Sequence, residues 1–184
     1  MLDKTILDNL LKFWFTKPMC DHWFSSTTEI DQKITNNYKK VWEKAKAREL
    51  DSWKNSADGC LALCILLDQL PLNMFRGQAK GFSTEQQAVA ITKHAIDNGF
   101  DEEISINRVA FLYMPLMHSE NMDDQNLAVS CFDNVKLEGN LQFAKHHRGI
   151  VEQFGRFPHR NLALGRVSSP EEIRYLNSDK AFTG

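Results

Sequence analysis

Residues 61–69 read Leu-Ala-Leu-Cys-Ile-Leu-Leu-Asp-Gln. Every residue from Leu61 to Leu67 is apolar, and a helix that is apolar on all sides belongs in the middle of a protein, surrounded by other helices. The run is well short of the roughly 20 residues needed to cross a bilayer. We therefore predict a buried central helix that runs directly into two polar residues, Asp68 and Gln69.

The sequence on both sides of this run carries signals of further helices. Charged and apolar residues alternate with a period near 3.6 between residues 31 and 48, which is typical of an amphipathic helix. Ser83 followed by Gln86 matches a capping box and predicts a helix over about 84–98. No segment shows the sustained alternation of a β-strand. We predict an all-α protein of eight or nine helices joined by short connections.

Two proline positions refine this prediction. Ser169-Pro170-Glu171-Glu172 combines a cap, a proline at the first position and acids in the first turn, so a helix should start there. Residues 104–117 also have a helical pattern, but Pro115 predicts that this helix kinks or ends at the proline.

Composition limits the class of protein. The chain has 184 residues, of which 42% are hydrophobic, and this excludes a wholly disordered chain. Its length predicts one domain over residues 1–184. The formal net charge of -2 argues against a polybasic binder of nucleic acid or membranes. The N-terminus lacks the pattern of a secretory signal, and the four cysteines form no zinc motif, so we expect a soluble, cytoplasmic protein.

Polar residues end apolar helices in three separate segments. The first is Asp68-Gln69, the second contains His118 and Glu120, and the third spans residues 140–166. A helical wheel places His147 at the centre of an apolar face in the third segment. A charged or polar group left alone in a core is costly, and this cost predicts that the three segments meet in space.

The third segment has a surplus of positive charge. It holds five Lys or Arg against one acid, so its local charge is +4 and the rest of the chain sums to -6. Two interpretations are open. The arginines neutralise internal acids such as Asp68 and Glu120, or they hold the carboxylate or phosphate of a ligand, for which guanidinium is well suited. Contact with nucleic acid is the weaker alternative, because the patch is short and the chain is acidic.

For a ligand site, the sequence supplies two groups of candidates. The predicted catalytic residues are His118 and His159, as general acid or base, and Glu120, which together with Asp68 is a candidate to orient a histidine. The predicted ligand-binding residues are Asp68, Gln69, Arg76, Gln125, His147, Arg156, Arg160, Asn161 and Arg166. No metal-binding or phosphate-loop motif occurs, so we predict neither a metal nor another cofactor.

These segments also carry a resemblance to a known family. Leu67-Asp68-Gln69, Asn73-Met74-Phe75-Arg76-Gly77, Pro115-Leu-Met-His118-Ser-Glu120 and Phe154-Gly-Arg-Phe-Pro-His-Arg-Asn161 resemble an uncharacterised, mainly bacterial family, domain of unknown function 924. The resemblance runs nearly from end to end and implies packed antiparallel helix hairpins in a tetratricopeptide-like arrangement. It implies no activity. It also implies an arginine after Pro71, where this chain has Leu72.

Two other functions compete with the ligand site. Helix-hairpin folds often bind peptides, so a protein-interaction scaffold is an alternative, with Trp23, Phe24, Trp42 and Trp53 as candidate aromatic anchors if they are not core residues. The third alternative is that the polar network is purely architectural.

Overall fold

A computed structural model describes residues 2–182, apart from the side chains of residues 2 and 3, and shows the predicted all-α fold. In the described part of the chain there are helices and turns but no strands. The helices are α1 (Leu2–Phe15), α2 (Thr28–Lys46), α3 (Ala57–Cys64), α4 (Leu70–Met74), α5 (Glu85–Asp97), α6 (Ile106–His118), α7 (Met122–Asn134), α8 (Glu138–Phe154) and α9 (Pro170–Leu176).

The predicted central helix is the core of the molecule. α3 continues into α4 through a π-helical turn, Ile65–Gln69, and the residues from Leu61 to Leu67 are at most 3% exposed. By length and composition Ala57–Met74 could cross a membrane, but 78% of this segment is buried inside the protein. It is therefore the central helix of a helical domain, as its uniform hydrophobicity predicts.

The other helices surround this segment. α1, α5 and α6 pack against α3, while α2 packs against α4 and the π-helical turn. Along the second half of the chain α5 packs against α6, α6 against α7 and α7 against α8, as helix hairpins do. Trp14, Trp42 and Phe132 are among the largest fully buried side chains. The tetratricopeptide-like arrangement and the single-domain boundary remain predictions.

The capping boxes predicted at two helix starts have different outcomes. Ser169 forms the predicted capping box with Glu172. The predicted box at Ser83 and Gln86 is wrong, because α5 begins at Glu85 and the Ser83 hydroxyl donates to the Lys80 carbonyl, 2.8 Å away. Thr84, which precedes α5, has its hydroxyl engaged elsewhere: it donates to the Leu67 carbonyl at 2.6 Å.

Helix α6 does not end at its proline. It continues three residues past Pro115 to His118, so the alternative that the helix stops at Pro115 is wrong. The proline lacks one backbone donor, but α6 packs against α3, α5 and α7, and this burial outweighs the lost hydrogen bond. The extra residues are important because they bring His118 to the edge of the core.

Gly59 allows α3 to approach the preceding turn closely. A Cβ at this position would collide with the backbone carbonyl of Trp53. We expect Gly59→Ala to destabilise the protein by about 1–3 kcal/mol, as overpacking of a rigid site does. In the matched control, Gly149→Ala in α8, the added Cβ meets no heavy atom within 4 Å. That variant should gain about 0.4–1 kcal/mol. Urea unfolding measures both changes, and equal midpoints would contradict the prediction.

Candidate functional site

The three polar segments meet at one end of α6. His118 Nδ1 lies 3.0 Å from each carboxylate oxygen of Asp68. Arg160 Nη2 donates to the His118 carbonyl at 2.8 Å, and the Phe157 amide donates to Glu120 at 2.9 Å. The contacts join positions 37 to 50 residues apart. The predicted convergence of the three segments is therefore present in the structure.

A small crevice opens at this junction. It has a volume of about 10 Å³, which is about the space that one water molecule needs. We call it the His118 crevice, and it is lined by Leu67, Asp68, Leu72, Gly81, Phe82, Glu85, His118 and Arg160. Three of the residues predicted from the sequence are in this lining: Asp68, His118 and Arg160.

The π-helical turn positions Asp68. A π-helical turn accommodates one more residue than an α-turn, and such turns occur often at functional sites. Asp68 lies in this turn with only 5% of its surface exposed. Its carboxylate accepts a hydrogen bond from the neighbouring Gln69 amide as well as the contact from His118. The buried charge is thus partnered on both sides, which reduces its desolvation cost.

His118 is held as an oriented histidine. It is the last residue of α6, and its side chain is 17% exposed. When it is ionised, the Asp68 carboxylate only accepts hydrogen bonds, so His118 Nδ1 then donates to it, and Nε2 is the ring nitrogen that does not contact Asp68. A histidine fixed in this way by a carboxylate is the arrangement that general acid–base chemistry uses.

Arg160 closes the other side of the crevice. It is 6% exposed, and its guanidinium lies between the rings of Phe82 and Phe157, at 4.7 and 4.6 Å from their centroids. Nη1 donates to Glu85 at 2.7 Å, while Nε is buried without a hydrogen-bond partner in the described residues. Burial raises the pKa of Glu85, although Arg160 acts in the opposite direction.

The other candidate arginines are paired with carboxylates outside the crevice. Both pairs near the crevice are bidentate: Arg166 binds Glu120 at 2.8 and 2.7 Å, and Arg156 binds Glu172 at 2.7 and 2.9 Å. The Arg156 hydrogen bonds hold the pKa of Glu172 at about 2.

Arg76 lies at the end of α4, where it pairs with Asp31 of α2 at 2.9 Å. It takes no part in the lining of the crevice. These contacts correspond to the interpretation in which the arginines neutralise internal acids.

His147 and His159 form an aromatic cluster beside the crevice rather than in it. His147 is buried, as its place on the helical wheel predicts, and its Nδ1 lies 2.8 Å from the Phe143 carbonyl. Burial lowers the pKa of His147 to about 3 and that of His159 to about 4. Both rings are therefore neutral at pH 7, and a pKa of about 4 makes His159 a weak general base at that pH.

Two further candidates support the backbone around the site. The Gln125 amide donates to the carbonyls of Met117 and Ser119, both at 2.7 Å, and so fastens the end of α6 that carries His118. The Asn161 amide donates to the Ser168 hydroxyl at 3.0 Å. In residues 2–182, no three His, Cys, Asp or Glu residues are grouped as metal ligands would be.

Comparison with known proteins identifies the family of this chain. A family model described as "Bacterial protein of unknown function (DUF924)" matches residues 10–180. The chain belongs to this family. A solved structure of a protein of unknown function from Agrobacterium tumefaciens is 36% identical to it, with a TM-score of 0.88 over 95% of this chain and 98% of the other. No curated protein matches the chain.

Membership of this family draws attention to Leu72. The resemblance implies an arginine after Pro71, and the structure places Leu72 in the lining of the His118 crevice. Sequence reasoning did not find Glu85 or Phe82, which also line it. An acid in the first turn of a helix is ordinary, so nothing local distinguished Glu85.

Proposed function

We propose that this protein binds a small carboxylate or phosphate at the His118 crevice and that His118 acts there as a general acid or base. The observation that carries the proposal is the buried Asp68 carboxylate on His118 Nδ1. A folded protein gains little from burying such a pair for stability alone, because the desolvation cost offsets much of the attraction. Orientation of the histidine is the use for which the arrangement is suited.

The size of the crevice limits how a ligand binds. A space of about 10 Å³ admits one oxygen atom of an anion, with the rest of the ligand outside Leu72. Arg160 supports the choice of an anion, since its Nη1 is paired with Glu85 while its Nε has no hydrogen-bond partner among the described residues. In this proposal Arg160 attracts the oxygen and His118 Nε2 exchanges a proton with the ligand.

Thermal unfolding in the presence of phosphate, acetate, sugar phosphates, nucleotides and divalent metals tests the binding. A ligand at about 100 times its Kd adds roughly 2.7 kcal/mol, or about 5–11 °C for a chain of this size. We expect a shift confined to phosphates or carboxylates. Equal melting temperatures with every anion at about 100 mM, which is roughly 100 times a Kd of about 1 mM, would overturn the proposal.

Two variants connect such a shift to the crevice. Leu72→Arg adds a cation to the lining and should tighten binding of the anion by about tenfold, which is about 1.4 kcal/mol. Leu72→Met is its control and should bind like the wild type. His118→Asn keeps a donor for Asp68 but removes Nε2, so it should retain the thermal shift and lose any turnover. If Leu72→Arg and Leu72→Met bind alike, the anion does not occupy this crevice.

We also propose a cytoplasmic location without membrane or nucleic-acid contact, and no cofactor. The four cysteines are free, which supports a reducing compartment. The alternative function, a protein-interaction scaffold, is weakened at two of its anchors, because Trp42 and Trp53 are buried in the core. Phe24 supports it, since this side chain is exposed.

A further inference from the structure

One basic residue of segment 140–166 has no carboxylate partner among the described residues, and it lies away from the His118 crevice. Of the five basic residues in segment 140–166, four have carboxylate partners: Arg148, Arg156, Arg160 and Arg166 pair with glutamates. Lys145 has no carboxylate within 4 Å among the described residues. Glutamates thus neutralise most of the surplus predicted from the sequence, and the remaining cation, Lys145, lies on another surface.

That surface is a groove between α8 and α9. It has a volume of about 690 Å³, and its polar lining residues are Lys145, His146, Gln153, Glu171, Arg174, Tyr175, Ser178 and Lys180. Arg174 has a carboxylate neighbour, Glu171, but at 3.8 Å and with both side chains mostly exposed, so this pair contributes little. The three cations Lys145, Arg174 and Lys180, set against Glu171, contribute a formal net charge of +2 to the groove.

The C-terminal segment forms a fixed wall of the groove. The Phe182 ring packs 4.4 Å from the His147 ring and 5.0 Å from that of His159. The Phe182 amide donates to the Tyr175 hydroxyl at 2.9 Å. Lys180, two residues earlier, lines the groove together with Lys145 of α8.

We propose that the α8–α9 groove binds an acidic peptide segment. The groove is open to solvent, and its lining residues from Lys145 to Gln153 span about 12 Å of α8 at 1.5 Å per residue. A pocket for a small molecule usually encloses most of its ligand, whereas an open trough between helices suits a peptide. The floor at Gly149 is bare, since a Cβ there would meet nothing within 4 Å, and this allows a peptide backbone to lie close.

Fluorescence anisotropy with a labelled oligoglutamate peptide tests the proposal on the full chain. We expect binding that weakens as salt is added and that is absent for the matching oligoglutamine peptide. Lys145→Glu and Lys180→Glu should each weaken binding about tenfold. Phe182→Ala should also weaken it, because the wall that carries Lys180 is released. Circular dichroism confirms that each variant is folded.

Lys44→Glu is the matched control, since it makes the same charge change on exposed α2 outside the groove. It should change the affinity less than twofold. Equal effects of Lys44→Glu and Lys145→Glu would overturn the proposal, because binding would then follow net charge alone. Displacement of the peptide by an equal concentration of phosphate, or tighter binding of an oligonucleotide, would also overturn it. None of these outcomes depends on His118, so this test stands apart from that of the crevice.

Discussion

Arg160→Met is expected to destabilise the protein by about 3–5 kcal/mol, the loss typical of a buried ion pair that is left with one partner. Methionine retains the apolar stem between the two phenylalanine rings, so the change removes mainly charge and hydrogen bonds. It leaves Glu85 buried opposite no cation and the His118 carbonyl without its donor. The difference in unfolding free energy from urea denaturation measures this effect.

Two comparisons separate charge burial from other causes. Arg76→Met removes another arginine that binds a carboxylate, but the Arg76 side chain is 60% exposed, so its loss should cost less than about 1 kcal/mol. Adding Glu85→Gln to Arg160→Met should restore much of the stability, since the stranded carboxylate is gone. Similar losses for Arg160→Met and Arg76→Met would show that burial does not govern these pairs.

Lowering the pH from 7 to 4 is expected to remove about 3 kcal/mol of stability through His147. His159, whose pKa is about 4, is also protonated only in the unfolded chain over most of this range, so only the difference between the wild type and a His147 variant measures the contribution of His147. Burial lowers the pKa of this histidine to about 3 in the folded protein, whereas the unfolded chain has a value of 6.5. Between these values only the unfolded state binds the proton. The contribution of His147 is therefore fully present above pH 6.5 and is lost as the pH falls towards 3. Urea unfolding at pH 7, 6, 5 and 4 follows it.

His147→Asn is the variant that isolates this effect. Asparagine keeps an N–H for the Phe143 carbonyl but does not titrate. Its stability should fall less steeply than that of the wild type between pH 6.5 and 5. Glu172 does not interfere there, because its pKa of about 2 places its own loss below pH 4.5. Parallel curves for the two proteins would exclude His147 as the source.

Sequence reasoning succeeded where one residue and its immediate pattern carry the information. The uniform hydrophobicity of residues 61–67 predicted the central helix, and the wheel position of His147 predicted its burial. The convergence of the polar segments followed from the cost of leaving Asp68 alone in a core. In each case the local pattern is compatible with only one arrangement of low free energy.

What could not be predicted depends on partners far along the chain. Glu85 and Arg160 are 75 residues apart, and neither neighbourhood indicates the other. The arginine cluster has the same composition whether it binds internal acids or a ligand. Only the three-dimensional structure shows that Arg156 and Arg166 bind carboxylates of the protein itself. The cap of α5 was predicted wrongly for the same reason. Thr84 precedes this helix, but its hydroxyl binds Leu67 and Trp42 instead of capping the helix.

The π-helical turn at Ile65–Gln69 makes the contact between Asp68 and His118 sensitive to the number of residues in this turn. A single extra residue within a helix rotates everything after it by about 100°, given 3.6 residues per turn. Loss of one residue from this turn would leave α3 in the core but swing Asp68 away from His118. Most substitutions between Cys64 and Leu70 would alter only side chains, whereas a one-codon deletion would uncouple carboxylate from imidazole. The number of residues in this turn is therefore as important for the contact as their identity.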